Sequence, residues 1–330
     1  MKKISSIFLI IILSLGLLTG CSSNKTNDTK VKEENKTVKV TVPDGLPAMS
    51  VAKLIKENPE ISKDYEVKYS IEKTPETLST SVMKEEPDIA IVPSNMASIA
   101  YNKTKNYQIA ATTGFGSFYI ISTEDLKSYN DLKGKTILNM GKGLTPDITA
   151  QSILKDRGIN ITSDVTFNYV NGVPELVPMV VSGKEKIAVV PEPALTALME
   201  KKKDVKIFKS LNDEYKTLNN SEYGYPQATL IVKKSFLAEN KEFVNSFLSN
   251  VEKSVIWANK NKKDLAAYCE NIGVSTEKGI IENSLDRANI KYAFVKNTIE
   301  EYKKYYKKLF DFNPKSVGGT MPDEGIFMEK

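Results

Sequence analysis

Any chemistry in this chain proceeds without histidine: the 330 residues contain none, and only two cysteines, Cys21 and Cys269. That composition removes the HExxH zinc site, the Ser-His-Asp triad, the Cys-His pair and an imidazole general base together. Walker A, GxSxG and EF-hand patterns are missing as well. What remains are turns of small and polar residues suited to non-covalent capture: Asp44-Gly45-Leu46-Pro47, Pro93-Ser94-Asn95, Thr112-Thr113-Gly114, Asn171-Gly172 and Pro191-Glu192-Pro193. The most informative turn runs from Gly141 to Asp147. There Thr145 reads as a helix N-cap, Pro146 as the first helical residue, and Gly143 as a point where backbone can approach a ligand. Free N–H groups at such a helix start can hold a carboxylate, sulfonate or phosphate. Ser94 is similarly expected to cap a helix beginning near Met96, leaving Asn95 free to hydrogen-bond in either polarity.

These turns need elements that bring them to one place, and the sequence contains such elements twice. "VTVPDGLP" (Val40 to Pro47) is answered by "TILNMGKGLTP" (Thr136 to Pro146), and "PETLSTSVMKEEPDIAIVP" (Pro75 to Pro93) by "PELVPMVVSGKEKIAVVP" (Pro174 to Pro191). The offset is constant, from Gly45 to Gly143 and from Ile89 to Ile187. Between these landmarks lie amphipathic helical patterns (Ala48 to Glu57; Asp147 to Arg157) and β-rich segments (Glu66 to Ile71; Val165 to Val170). Each unit therefore reads strand, turn, helix, strand, helix, strand, the alternation of a mainly parallel sheet covered by helices. Ligands of open parallel sheets bind beyond the carboxyl ends of the strands. Two such edges facing each other form a cleft.

The first residues have a different character. Lys2 and Lys3 precede an apolar run from Ile4 to Leu18, the layout of an export signal. Leu18-Thr19-Gly20-Cys21 resembles the bacterial lipobox, in which the Cys thiol takes a diacylglycerol and the peptide is cut before it. Residues 1–20 are then a signal peptide, with Cys21 lipidated; each buried acyl methylene contributes roughly 0.8 kcal/mol to membrane anchoring. The polar stretch of residues 21–36 reads as a flexible tether. With 46 basic and 41 acidic side chains, the charge balance makes no case for nucleic acid. "TIEEYKKYYKKLF" interleaves Tyr and Lys, but Tyr302, Tyr305, Tyr306 and Leu309 share one helical stripe, so the lysines read as a solvated face. Residues 239–261 show apolar residues at helical spacing, and Cys269, in "DLAAYCENIG", reads as core.

Five segments, "DGLPAMSVAKLI", "PDIAIVPSNMASIAYNK", "DLKGKTILNMGKGLTPD", "IAVVPEPALT" and "FNPKSVGGTMPDEGIF", carry a family resemblance in their order. The chain resembles the substrate-binding lipoproteins of bacterial ABC importers. The branch is the one that groups nitrate, taurine and alkanesulfonate binding proteins with NMT1/THI5-like binding proteins for thiamine pyrimidine precursors. The resemblance implies an α/β, two-lobed periplasmic-binding-protein type II fold, each lobe a mainly parallel sheet flanked by helices, with a two-strand hinge. Residues 37–118 and 226–330 would form lobe one and 119–225 lobe two, the hinge lying near Tyr119-Ile120-Ile121 and Gln227 to Ile231. Relatives that bind sulfonates or nitrate hold the anion with helix-start loops; by position Gly143, Thr145 and Pro146 match in lobe two, and Ser94 and Asn95 in lobe one. Gly45, Leu46, Pro47, Thr113, Gly114, Asn171, Glu192 and Gln227 complete the expected ligand set.

The implied function is that of a lipid-anchored, monomeric receptor on the outer face of the cytoplasmic membrane. It would deliver a small polar or anionic organic solute to a permease and its ATPase subunit. No cofactor, metal or catalysis is expected: metal-linked relatives use ligands that include His, and a synthase on this fold would react through one. Glu192 at the cleft edge would repel a simple anion and suit a ligand with N–H donors, unless it turns outward. A ligand-sensing lipoprotein that signals to a membrane partner would need the same cleft and stays open.

Overall fold

Two hydrophobic runs of the same form, Ile89–Pro93 and Ile187–Pro191, explain the architecture. In the computed structural model, which describes residues 36–329, both are strands whose first four residues are fully buried. A strand at the centre of a helix-covered sheet has to be apolar on both faces. The first lies in a sheet with β1 (Lys36–Pro43), β2 (Tyr65–Glu72), β3 (Ile89–Pro93 itself) and β4 (Tyr107–Phe115). The second lies in a sheet of β5 (Phe118–Ser122), β6 (Lys135–Met140), β7 (Val165–Val170), β8 (Ile187–Pro191 itself) and β9 (Lys206–Ser210). Strands β10 (Pro226–Lys233) and β11 (Ile290–Phe294) return to the first sheet. The expected signal peptide, Cys21 and the tether up to residue 35 lie outside the described residues. Lys36, grouped with the tether for its polarity, instead opens β1, its N–H donating to the Asp64 carbonyl at 2.9 Å.

The strand orders are β11-β4-β10-β3-β1-β2 and β7-β6-β8-β5-β9. The duplicated core is therefore β2-β1-β3 in one sheet and β7-β6-β8 in the other, parallel in both. Each core is then extended by a strand that has just arrived from the other sheet. β10 pairs antiparallel with β3 and β4, and β5 pairs antiparallel with β8 and β9. Sequence alternation predicts mainly parallel sheets; the sheets are mixed because a strand entering directly from the facing sheet runs against the ones it joins, a geometry that local pattern does not encode.

Local chemistry explains where the helices differ from expectation. The pattern over Ala48 to Glu57 gives two helices, Leu46–Ser50 and Ala52–Glu57. The Ser50 hydroxyl donates to the Pro47 carbonyl at 2.6 Å, a side-chain competitor for the helix ladder at the point where it breaks. The helix Lys241–Lys260 lies within the expected span and buries Phe243, Phe247, Val251 and Val255. Cys269 is fully buried, and burial pushes its thiol up to about 12.

The tyrosine stripe is buried as the periodicity requires, with Tyr302, Tyr305, Tyr306 and Leu309 on the inner face of the helix Ile299–Phe312. Their hydroxyls tie this helix to several elements. Tyr302 Oη lies 2.8 Å from Thr112 Oγ1 and 2.7 Å from Thr229 Oγ1, on β4 and β10. Tyr306 donates to the Ser94 carbonyl, and Tyr305 shares a hydrogen bond with Thr149 on the helix Thr145–Asp156.

The chain crosses between the sheets twice, at Gly116-Ser117 and at Gly224-Tyr225, and the crossings lie side by side. Gly116 N–H donates to the Tyr225 carbonyl at 3.0 Å. A methyl group on Gly116 would overlap the Tyr225 ring, so this contact needs glycine for space.

Candidate functional site

The carboxyl ends of β1, β3, β4, β6 and β8 open onto a cleft with two compartments. The larger holds about 760 Å³ and the smaller about 550 Å³, and they share Leu46, Pro47 and Gln227. Both lie within the volume range of small-molecule sites.

The larger compartment is apolar. Pro43 ends β1 and Leu46 and Pro47 follow it; Pro93 ends β3 and Asn95 and Met96 follow it; Thr113, Gly114 and Phe115 end β4. Leu144, Thr145 and Pro146 face them from the loop after β6, with Phe118 at the start of β5. Pro75, Met83 and Ile99 close another wall. Polar residues are the minority of its lining, and two of their hydroxyls are uncommitted. Thr113 is fully buried and its Oγ1 has no hydrogen-bond partner, nor has the buried Oγ1 of Thr145. Thr112, the preceding residue on β4, faces the opposite way toward Tyr302, as strand alternation requires.

The loop Gly141–Leu144 is shaped by two glycines in the left-handed region, φ 63° at Gly141 and 72° at Gly143, and by the Leu144 N–H donating to the Gly141 carbonyl at 2.8 Å. Thr145 is the first residue of its helix; Leu144 is the N-cap, and no side chain caps. The acidic residue of the first turn takes over instead. Asp147, buried, accepts from Gly143 N–H at 2.8 Å, Asn139 Nδ2 at 3.1 Å, Gln151 Nε2 at 2.7 Å and Tyr169 Oη at 2.9 Å. Gly143 is thus engaged within the loop and lines neither compartment.

Ser94 also departs from its expected role. Pro93 is the N-cap of the helix Ser94–Thr104, and the buried Ser94 hydroxyl donates to the Pro226 carbonyl at 2.6 Å, joining β3 to β10. Asn95 is half-buried and lines the larger compartment. Asn171 is exposed, pairs with Glu175 and lines neither compartment. Gln227 sits between the compartments with its amide engaged at the crossing: Oε1 accepts from Ser117 N–H, and Nε2 donates to Ser117 Oγ, each at 2.9 Å.

The smaller compartment is polar and acidic, lined by Asp44, Gly45, Glu192, Glu200 and Glu277, with Lys201 as its one basic residue among those described. Glu192 borders it but is buried and paired. Arg287 Nε donates to Glu192 Oε1 at 2.6 Å, Arg287 Nη2 donates to Thr196 Oγ1, and Thr196 N–H and Oγ1 donate to Glu192. Its charge is therefore neutralised within the protein. Asp44 is paired with Lys73 at 3.0 Å; burial pushes its carboxyl up, but bonds from Ser275, Lys73 and Gly45 outweigh that and hold it below its ordinary value. Among the described residues no group of three or more His, Cys, Asp or Glu side chains stands together to hold a metal ion.

Turn chemistry pointed to polar groups of the cleft and to its apolar residues Leu46, Pro47 and Pro146, and missed the rest of the apolar walls. Phe115, Phe118, Met83 and Met96 line the larger compartment and were not among the expected ligand residues. Leu144, a large apolar residue inside the glycine turn, was not in the expected set either; it is 54% exposed and lines the larger compartment.

With this geometry in place, comparison with known proteins defines the class. Residues 62–264, more than half of the chain, match the family described as NMT1/THI5 like, and the chain belongs to that family. YtlA of Bacillus subtilis (strain 168) is 25% identical over 224 residues, 65% of this chain and 64% of YtlA, so the match spans less than two thirds of that relative. An ABC transporter crystal structure from Parabacteroides distasonis superposes with a TM-score of 0.78 at 25% identity, covering 90% of this chain and 100% of that one. The periplasmic aliphatic sulphonate binding protein SsuA from Escherichia coli superposes at 0.68 with 15% identity, covering 89% and 94%. The fold is the periplasmic-binding-protein type II fold.

Proposed function

We propose that the protein is the extracytoplasmic receptor of an ABC importer, lipid-anchored through Cys21 to the outer face of the cytoplasmic membrane, which captures a small organic solute and hands it to a permease and its ATPase subunit. The observation that carries this reading is the cleft itself: strand ends of two sheets meet around one space, across two adjacent chain crossings. Residues 36–116 and 225–329 act as one lobe and 117–224 as the other, a division that puts Phe118, expected in lobe one, with β5 in lobe two. A ligand that touches Asn95 and Thr113 on one side and Thr145 on the other gains its full contacts only when the lobes close, so its differential affinity drives closure. The relatives named above include a binding protein for sulphonates, and binding rather than catalysis suits a chain without histidine.

The test is uptake. Cells with and without the gene are compared for import of the compound that co-purifies with the full chain, identified by native mass spectrometry. Loss of uptake without the gene, together with roughly tenfold weaker binding in a Thr145→Ala, Asn95→Ala double variant, is the expected result. Unchanged uptake with intact binding would assign the protein to ligand sensing instead.

A further inference from the structure

The cleft defines the charge of what it takes. No lysine or arginine is among the residues that line the apolar compartment; Glu76, at its rim, is the sole ionisable one, and it is acidic. The helix start that would attract an anion is already occupied by one, because Asp147 accepts the Gly143 N–H and brings its own carboxylate to the positive end of the helix. Pro146, at the start of the same helix, has no N–H to offer. The second compartment adds Asp44, Glu200 and Glu277 against Lys201. A sulfonate or nitrate moved from water into the apolar compartment would lose its hydration with no cation in the lining to replace it.

The uncommitted groups describe what fits instead. Thr113 on β4 and Thr145 at the start of the helix after β6 both line the apolar compartment, and each carries a covered Oγ1 without a partner, a hydroxyl that can donate to or accept from a ligand once closure repacks the wall over it. Around them Leu144, Phe118 and Met96 offer apolar surface, with Leu144 exposed until something covers it. Resting on the receptor reading above, we infer that the ligand is an uncharged organic molecule with an apolar body and a short hydrogen-bonding edge. The body is covered by Leu144 on closure, and the edge is held by Thr113 and Thr145.

Matched probes test this. Methylphenyl, indolyl and hexyl bodies, each carrying either a sulfonate or the corresponding sulfonamide, are titrated calorimetrically into the full chain in detergent, with nitrate as a further arm. The expected result is that at least one sulfonamide binds about tenfold or more tightly than its sulfonate. A Leu144→Lys variant, which places a cation at an exposed position, should narrow or invert that ratio. Its folding is checked by thermal unfolding, and Thr113→Val, which removes a hydroxyl without a partner, serves as a second variant expected to weaken the sulfonamide several-fold. Preference for the sulfonates, or binding of nitrate, overturns the ligand class and leaves the receptor reading standing. Binding of no probe in either series overturns both.

Discussion

Single side chains in this protein are told apart by what they already hold. Ser94, Gly143 and Asn171 look as suited to a ligand as Asn95, Thr113 and Thr145, yet the first three are engaged by Pro226, Asp147 and Glu175. Local sequence identifies a hydrogen-bonding group; only the neighbours decide whether it is still available. The same logic makes Asp323 a pH-sensitive anchor of the C-terminal tail. Tyr101 and the Gly325 N–H both donate to its Oδ1, and Lys105 Nζ lies 2.9 Å from its Oδ2. These bonds, that from Tyr101 first, lower its carboxyl from 3.8 to about 2. A depressed folded value stabilises the tail above the ordinary value, and the contribution is lost as pH falls from 3.8 through about 2. Hydrogen exchange at Gly325 to Phe327 should accelerate over that window, modestly because the pair is exposed. An Asp323→Asn variant should show no such dependence; an unchanged profile in both would remove the anchor.

Among the elements, the two crossings are the parts with least freedom to change. Gly116 lies against the buried Tyr225 ring, which stacks on Tyr305 with centroids 5.3 Å apart. The Tyr225 ring therefore has a wall behind it and cannot yield to a new methyl group. Gly116→Ala is expected to destabilise the protein by about 1–3 kcal/mol, the usual consequence of overpacking, measured by urea unfolding. A loss under about 0.5 kcal/mol would mean that the crossing relaxes freely. Elements were otherwise legible where periodicity was strong. The expected Val165–Val170 strand matches β7, and the tyrosine stripe faces inward as its spacing demands. The break at Val51 was not, because it depends on a serine hydroxyl choosing a backbone carbonyl.

At the scale of the whole molecule, the two sheets are tied by more than their crossings. Arg287, two residues before Asn289, pairs with Glu192 after β8, while the Tyr119 hydroxyl donates to the Arg287 carbonyl and Asn289 Nδ2 donates to the Gly116 carbonyl. The helix Ile299–Phe312 adds Lys308 to Asp156 at 2.8 Å. Closure about the crossings is therefore expected to be a modest rotation that preserves these ties, not a wide swing. Small-angle scattering with and without the co-purifying compound should show a small fall in radius of gyration. An identical curve at saturating ligand would mean that the cleft does not close.

The order of elements, the duplicated strand-helix units and the buried or solvated faces were legible from residue types alone, because hydrophobic periodicity and turn chemistry act over a few neighbouring positions. Which turn groups are already engaged, the mixed pairing of both sheets and the apolar, cation-poor character of the larger compartment were decided by tertiary structure. Asp147 claims Gly143 from within one helical turn, but the other properties join residues far apart in the chain: Arg287 claiming Glu192, and β10 arriving antiparallel beside β3. No window of sequence contains both partners of the last two pairings, so their physical consequence exists only once the chain has folded.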